Sequence, residues 1–135
     1  MTLETFLSRY QYKPDPIKKD MWEIPKLVNN QYLDDCDGLA LGILFYVLAN
    51  ESWFKFWFLL MFTNTKIIYV ITSKGIGHVV LKHKDLYIDT YSKAWVTKQQ
   101  LLDYGHKFHW SRMFLFWQVG IKLGITKLYS LLKIV

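Results

Sequence analysis

The most reactive side chains of this 135-residue chain are its single cysteine and its four histidines. Cys36 stands in the string Asp34-Asp35-Cys36-Asp37-Gly38, directly before an apolar run. A thiol becomes a nucleophile when a base removes its proton and a third group orients that base. The positive end of a helix dipole would stabilise a thiolate at Cys36, whereas the neighbouring aspartates oppose ionisation. Since a close imidazolium outweighs exposed carboxylates, we expect a low thiol pKa if a histidine lies beside Cys36.

His78 and Asp89 are the histidine and the carboxylate whose spacing suits this role. Gly77-His78 opens a predicted strand, and Asp89 lies in the next one, eleven residues further on. Directly opposed residues of an antiparallel hairpin share a face, so an even-numbered turn puts His78 and Asp89 on one face. A two-residue or four-residue turn within 83–86 satisfies this condition, whereas a three-residue turn would put Asp89 behind the sheet. The even turn therefore predicts that the His78 imidazole and the Asp89 carboxylate share one face, where they could pair and serve Cys36.

The same register sorts the other hairpin residues into two faces. We expect an apolar core face and a second face that accompanies His78 and Asp89. The core face would hold Val79, Leu81, Leu86 and Ile88, and the second face Val80, Tyr87 and Tyr91.

The element that must carry Cys36 is a buried helix. From Cys36 to Ala49-Asn50, apolar residues recur at helical spacing, and Asp34 or Asp35 suits the N-cap. A further helix is predicted over 1–12, ended by Lys13-Pro14-Asp15-Pro16, and another over 98–104, capped by Thr97. The apolar positions of the two longer helices are Leu3, Phe6, Leu7, Tyr10, Leu39, Ala40, Ile43, Leu44, Val47 and Leu48.

The elements that must carry His78 and Asp89 are strands. Strand-type runs separated by turn residues are predicted at 55–62, 66–72, 77–82 and 86–91. The pattern of 108–119 fits a strand or a helix, and the last dozen residues favour a helix. These elements predict one α+β domain over residues 1–135, with the helix of Cys36 packed on a small antiparallel sheet.

Composition excludes several classes of protein. With 52% hydrophobic, 18% aromatic and 21% charged residues, the chain is not intrinsically disordered. A single cysteine cannot close an intramolecular disulfide, which favours a reducing compartment. The first residues hold Glu4 and no basic run before an apolar stretch, so no secretory signal is predicted.

Charge and hydropathy bear on nucleic acid and membrane partners. The net charge is +6, but the lysines are dispersed and no run of four or more occurs, so we expect no nucleic-acid partner. The apolar blocks 53–62 and 113–121 are shorter than the roughly 20 residues of a spanning helix, so no transmembrane span is predicted. The segment 121–135 could form an amphipathic helix that contacts a membrane peripherally or binds a partner, although packing on its own domain is favoured.

Plainer interpretations apply to several residues. A lone cysteine is commonly a small buried hydrophobic residue, and the block 53–62 is most simply a core strand, with an apolar substrate groove as the second interpretation. His83 is expected in a solvated turn. His106 and His109 could pair on a helix face, but one cysteine and no further clustered ligands argue against a zinc site.

Three short strings resemble the Cys, His and Asp blocks of the transglutaminase-like cysteine peptidases, a group of the papain-like superfamily. They are 34–40, 77–80 and 86–89. Trp22 and Pro25 are similar to the stretch that precedes the Cys block in small bacterial and phage members. The resemblance covers about residues 20 to 92. Gly38 departs from it, since an acid or a bulkier residue is common there.

The resemblance implies a thiol hydrolase with a papain-like core that cleaves a peptide or isopeptide-type amide bond, or transfers the acyl group to an amine. Cys36 would be the nucleophile, His78 the general base and then acid, and Asp89 the group that orients the imidazole. The oxyanion would be bound by the Cys36 backbone N–H and a side chain of Gln31 or Trp22.

The resemblance also bears on partners. It implies a protein or peptide substrate, no metal or organic cofactor, and a location in the cytoplasm of a bacterium or a phage-infected host cell. The alternative is a catalytically inactive transglutaminase-like domain that binds a protein or membrane surface.

Overall fold

A computed structural model of the chain describes residues 1–13, 22–75 and 77–134. Within these ranges helices and strands mix, as the predicted α+β class requires. The helices are α1 Leu3–Arg9, α2 Cys36–Gly42, α3 Trp53–Phe62, α4 Lys98–Asp103 and α5 Phe116–Ile134, with a π-helical segment Ile43–Leu48 after α2. The strands are β1 Tyr10–Tyr12, β2 Leu27–Val28, β3 Gln31–Asp34, β4 Thr65–Ile71, β5 Gly77–His83, β6 Leu86–Ile88 and β7 Lys107–Phe114.

The larger sheet is antiparallel, with strand order β6-β5-β4-β7. β5 and β6 are joined by the two-residue turn Lys84-Asp85, because His83 pairs with Leu86. The predicted even-numbered turn is therefore confirmed, and Asp89 follows the end of β6 on the face that carries His78. β6 is shorter than the strand predicted over 86–91 and ends before Asp89.

Both faces of the hairpin formed by β5 and β6 are buried. Val79, Leu81 and Ile88 belong to the main core, as predicted for one face. The face of His78 is covered by a second apolar cluster of Ile68, Val70, Val80, Tyr87, Val96 and Leu101. The pattern predicts Leu86 in the core, but it is 42% exposed, because it lies at the turn between β5 and β6.

The smaller sheet has the order β1-β3-β2, with β1 parallel and β2 antiparallel to β3. The helix predicted over 1–12 ends at Arg9, since Tyr10 pairs with Tyr32 and continues as a strand. Phe6 and Tyr10 are nevertheless buried, as the helical spacing indicated. The predicted Pro-rich stop at 14–16 lies outside the described residues.

α2 begins at Cys36, as predicted. Of the two predicted caps, Asp35 is the N-cap: its side chain accepts a hydrogen bond of 3.3 Å from the Gly38 N–H. The predicted helix to Ala49-Asn50 continues through the π-helical segment and ends at Leu48. α2 packs on β5, which brings the start of the helix to the start of the strand.

The strand predicted over 55–62 is wrong: this stretch lies in helix α3. Its aromatic residues favour strands by propensity, and a nearly uniform apolar run shows no clear period. The helical period appears only in burial, because Phe56 and Leu60, four residues apart, are the positions that face the core. Ser52 caps the helix by accepting a hydrogen bond of 3.3 Å from the Lys55 N–H.

The C-terminal third contains both helix and strand, the two types of element predicted there. Thr97 and Gln100 form a capping box at the start of α4, as the sequence indicated. The stretch 108–119 divides into the end of β7 and the start of α5, and the predicted helix at the end of the chain is present to Ile134. Among the described residues no single helix has the length and hydropathy to cross a bilayer, while Cys36–Leu48 and Trp53–Phe62 reach both only as a pair bent by 110°.

Candidate active site

A buried carboxylate, Asp89, lies at the centre of the site. Its Oδ2 lies 2.9 Å from the Nε2 of His78, and both side chains are buried. Its Oδ1 accepts backbone N–H hydrogen bonds from Ser92 at 2.8 Å and Tyr91 at 3.2 Å. Burial alone would raise the pKa of Asp89, but hydrogen bonds from His78, Ser92 and His106 together lower it to about 2. Asp89 is therefore ionised at neutral pH and holds the His78 imidazole in one orientation.

A second imidazole binds the same carboxylate oxygen. The Nε2 of His106 lies 2.8 Å from the Asp89 Oδ2, and the residue is 2% exposed. The rings of His78 and His106 meet edge to face at 5.3 Å. The possibility that His106 and His109 share a helix face is not realised, because His106 directly precedes β7 and His109 lies in that strand. The sequence carries no local signal for this contact, since the pairing of β7 with β4 creates it.

Cys36 lies beside β5. Interaction of the sulfur with the backbone N–H groups of Val79, Asp37 and Cys36 itself lowers the thiol pKa. Burial, with the charge of Asp35, outweighs them and raises the pKa of the Cys36 thiol to about 11. The low thiol pKa that the sequence led us to expect is thus not found, because the desolvation of the sulfur was not visible in the sequence. Cys36 is protonated at neutral pH.

Cys36 and His78 open into one cavity of about 390 Å³. The ring of Tyr91 stacks on the ring of His78 at 5.0 Å and also faces this cavity. Tyr10, Tyr12, Thr72, Gly77, Thr90 and Lys93 complete the lining. The cavity thus provides space for a substrate beside both the thiol and the imidazole.

The two side chains predicted for the oxyanion hole lie elsewhere, so this prediction is corrected. Trp22 is buried in the core, with its ring 4.7 Å from that of Phe114, and it lines a different cavity. Gln31 is exposed in β3, where it pairs with Val28. Backbone N–H groups, among them that of Cys36, lie next to the sulfur.

The side chains of Tyr10 and Asp34 hold the backbone just before Cys36 in place. The Tyr10 hydroxyl donates to the backbone carbonyls of Asp34 at 2.7 Å and Asp35 at 3.0 Å. A Cβ on Gly38 would lie 2.0 Å from the Asp34 Cγ, so the Asp34 side chain occupies the space of a larger residue. This packing explains why glycine stands at a position where the resemblance led us to expect a bulkier side chain.

Asp34 is the second unusual carboxylate of the site. Its Oδ1 accepts the Asp35 N–H at 2.8 Å, whereas its buried Oδ2 has no hydrogen-bond partner among the described residues. Burial raises the pKa of Asp34 from 3.8 to about 8, and the hydrogen bond from Asp35 only partly opposes this. At neutral pH Asp34 is therefore mostly protonated.

Replacing Asp34 with asparagine should make stability less dependent on pH. The folded chain keeps the Asp34 proton up to about pH 8, while the unfolded chain loses it near the ordinary value of 3.8. The folded state binds more protons in this window, so its free energy of unfolding falls as the pH rises. Asp34→Asn, which has a similar shape and cannot ionise, should be more stable than the wild type at pH 7 by on the order of 1–3 kcal/mol.

Urea unfolding at several pH values between 4 and 8 measures this effect. The matched control is Asp103→Asn, on the exposed end of α4. We expect the control to keep the wild-type slope of stability against pH. An unchanged slope in Asp34→Asn would contradict a protonated Asp34.

Within the part of the chain that the structure describes, two groups of side chains have donor atoms close enough to hold a metal ion. His78, Asp89 and His106 have one donor atom each, all within 4.8 Å of one another, and two imidazoles with one carboxylate suit Zn²⁺ or Fe²⁺. Asp34, Asp35 and Asp37 form the other group. In the first group each Nε2 lies at hydrogen-bond distance from the Asp89 Oδ2, so the imidazoles bind the carboxylate directly.

Comparisons with protein-family models, curated proteins and solved structures gave no match to this chain. What the chain does is therefore inferred from its own residues and their geometry.

Proposed function

We propose that this chain is a thiol hydrolase of the transglutaminase-like cysteine peptidase group, with a papain-like core, which cleaves a peptide or isopeptide-type amide bond. The observation that carries the proposal is the cavity shared by Cys36 and His78, together with the hydrogen bond from His78 to the buried Asp89. A nucleophile, a base and an orienting carboxylate are the three parts that acyl transfer from a thiol requires.

His78 would act as a general base during attack. Because the thiol pKa is high, the resting site holds a neutral thiol, which shares its cavity with the His78 imidazole. Its Nε2–H donates to the Asp89 Oδ2, which leaves Nδ1 as the ring atom that can accept a proton. As the sulfur attacks the carbonyl carbon, the Cys36 proton moves to His78, and the C=O electron pair moves to oxygen.

His78 would then act as an acid. The imidazolium gives its proton to the leaving amine as the C–N bond breaks, and a thioester on Cys36 remains. Water, deprotonated by His78, releases the acid and restores the thiol. An amine in place of water would make the same site a transamidase. Backbone N–H groups of Cys36 and Val79, which already face the sulfur, are the candidate donors to the oxyanion.

Acylation by p-nitrophenyl acetate tests the proposal without knowledge of the natural substrate. We expect a burst of p-nitrophenolate equal to the protein concentration and an acetyl group on Cys36 by mass spectrometry. Cys36→Ala should abolish the burst, and an added amine should show whether the thioester is hydrolysed or transferred. Acylation of the wild type no faster than that of glutathione at the same pH would contradict the proposal.

The second candidate function is a catalytically inactive domain that binds a surface. The raised pKa of the Cys36 thiol favours it, because a buried neutral thiol reacts slowly. The same experiment separates the two functions, since an inactive domain gives no burst. The burst assay is repeated with EDTA and with Zn²⁺, because a metal ion bound by His78 would prevent this residue from acting as the base.

A further inference from the structure

α3 exposes a row of aromatic side chains. Phe54, Phe58 and Phe62 stand one helical turn apart, with Phe54 80% and Phe62 70% exposed. Their rings touch in sequence, at centroid distances of 6.4 Å and 5.4 Å. Contiguous exposed apolar surface of this kind marks an interaction site more often than a scattered single residue does.

α5 exposes a longer apolar row. The side of α5 that packs on the protein holds Val119 and Thr126, which are buried, and Lys122, whose Nζ lies 5.0 Å above the Trp22 ring. The opposite side turns its apolar residues outward. Each of these is more than half exposed: Trp117, Ile121, Ile125, Leu128 and Leu132. The prediction that 121–135 packs its apolar side on its own domain is therefore wrong for this row.

The two rows lie on adjoining helices. A Cβ on Gly120 of α5 would lie 3.5 Å from the Trp57 ring of α3, so the helices approach closely there. Trp53 and Trp57 of α3 line one cavity with Leu123 and Gly124 of α5. Both helices pack one side on the core. We call their two outward apolar rows together the α3/α5 face. None of its residues lines the cavity of Cys36.

The excess positive charge of the chain lies in two long segments that include α3 and α5, and the two helices themselves contain lysines and no acidic residue: Lys55, Lys122, Lys127 and Lys133. Residues 52–84 and 104–135 contain no acidic residue, and each segment has a net charge of +5. The rest of the chain contains all eleven acids and has a net charge of −4. Lys55 of α3 and Lys127 of α5 are exposed beside the apolar rows. A surface complementary to the α3/α5 face would therefore be apolar inside and carry negative charge in its outer layer.

We propose that the α3/α5 face docks on a membrane surface that contains anionic phospholipid. An amphipathic helix in the membrane plane buries aromatic and aliphatic side chains at the headgroup boundary, while flanking lysines meet the lipid charge. Apart from the indole N–H of Trp117, which suits the headgroup boundary, the side chains of the rows need no hydrogen-bond partner among acyl chains. A protein partner with acidic groups would satisfy the charge but leave the broad apolar rows to be matched separately. The docking is independent of the hydrolase proposal.

Vesicle sedimentation of the full chain tests the docking. The probes are vesicles of phosphatidylcholine alone and of equal parts phosphatidylcholine and phosphatidylglycerol. We expect binding to the anionic vesicles that weakens with added salt, and much weaker binding to the neutral ones. The double variant Phe54→Gln/Phe62→Gln should lower the partition constant about tenfold or more, because both rings are exposed and leave the core intact.

The matched control is Leu27→Gln/Val28→Gln, which removes exposed apolar side chains from β2 and should bind like the wild type. Cys36→Ala should also bind like the wild type, so that failure of the hydrolase proposal and failure of docking are distinguishable. Equal binding by the phenylalanine variant, or equal binding to neutral vesicles, would overturn the proposal. A dimer in light scattering that binds no vesicles would instead assign the face to a second copy of the chain.

Discussion

Replacing His78 with glutamine should slow the acylation of Cys36 by p-nitrophenyl acetate about 100-fold or more at pH 7. The thiol pKa is about 11, so the wild type at this pH depends on a base to remove the proton during attack. Without the imidazole, only the small thiolate fraction reacts. The rate of His78→Gln should therefore keep rising with pH up to about 11, and the burst phase recorded across pH measures it.

His83→Gln is the matched control for this experiment. His83 lies at the other end of β5 and is half-buried, and its Nδ1 lies 2.7 Å from the Thr65 Oγ1. We expect its acylation rate to equal that of the wild type. If the variants at His78 and His83 acylate equally fast, His78 is not the base, and the inactive-domain alternative gains support.

Replacing Asp89 with asparagine should both destabilise the fold and slow acylation. Two buried imidazoles converge on one carboxylate oxygen. Asparagine carries no charge, and its amide nitrogen cannot accept a hydrogen bond from a ring N–H. We expect a loss of about 3 kcal/mol in the free energy of unfolding and an acylation rate lower by about 100-fold. Urea unfolding and the burst assay measure the two effects.

The stability difference between the wild type and Asp89→Asn should depend on pH in a known direction. The lowered pKa of Asp89, about 2, means that its stabilisation is fully present above the ordinary value of 3.8 and is lost as the pH falls toward 2. The stability difference between wild type and variant should therefore shrink between about pH 4 and pH 2. Asp85→Asn, in the exposed turn between β5 and β6, is the control and should show no such difference. Wild-type stability in Asp89→Asn would refute the role of this carboxylate as the centre of the cluster.

His106 and His78 both bind Asp89, but they lie differently with respect to the cavity of Cys36. His106 is 2% exposed and does not line the cavity of Cys36. It donates to the oxygen that also orients His78, so it fixes the carboxylate without reaching a substrate. Within the proposed mechanism His106 is therefore a positioning residue, while His78 is the imidazole that lines the cavity of Cys36.

The sequence determined those features that depend on local signals. The two-residue turn and the alternation of β5 and β6 placed His78 and Asp89 on one face, because strand register is fixed by turn length and by the period of two. The helical spacing after Asp35 placed Cys36 at a helix start, because capping and the period of 3.6 are local properties. The mixed α+β class followed from the same patterns.

Only the tertiary structure decided the rest. The block 53–62 is a helix in which Phe56 and Leu60, four residues apart, are buried. Its uniformly apolar sequence contains no period that would have indicated this. His106 reached Asp89 because β7 pairs with β4, a contact between strands far apart in the chain. The pKa of the Cys36 thiol rose because packing removed water from the sulfur, and desolvation depends on neighbours that come from distant segments.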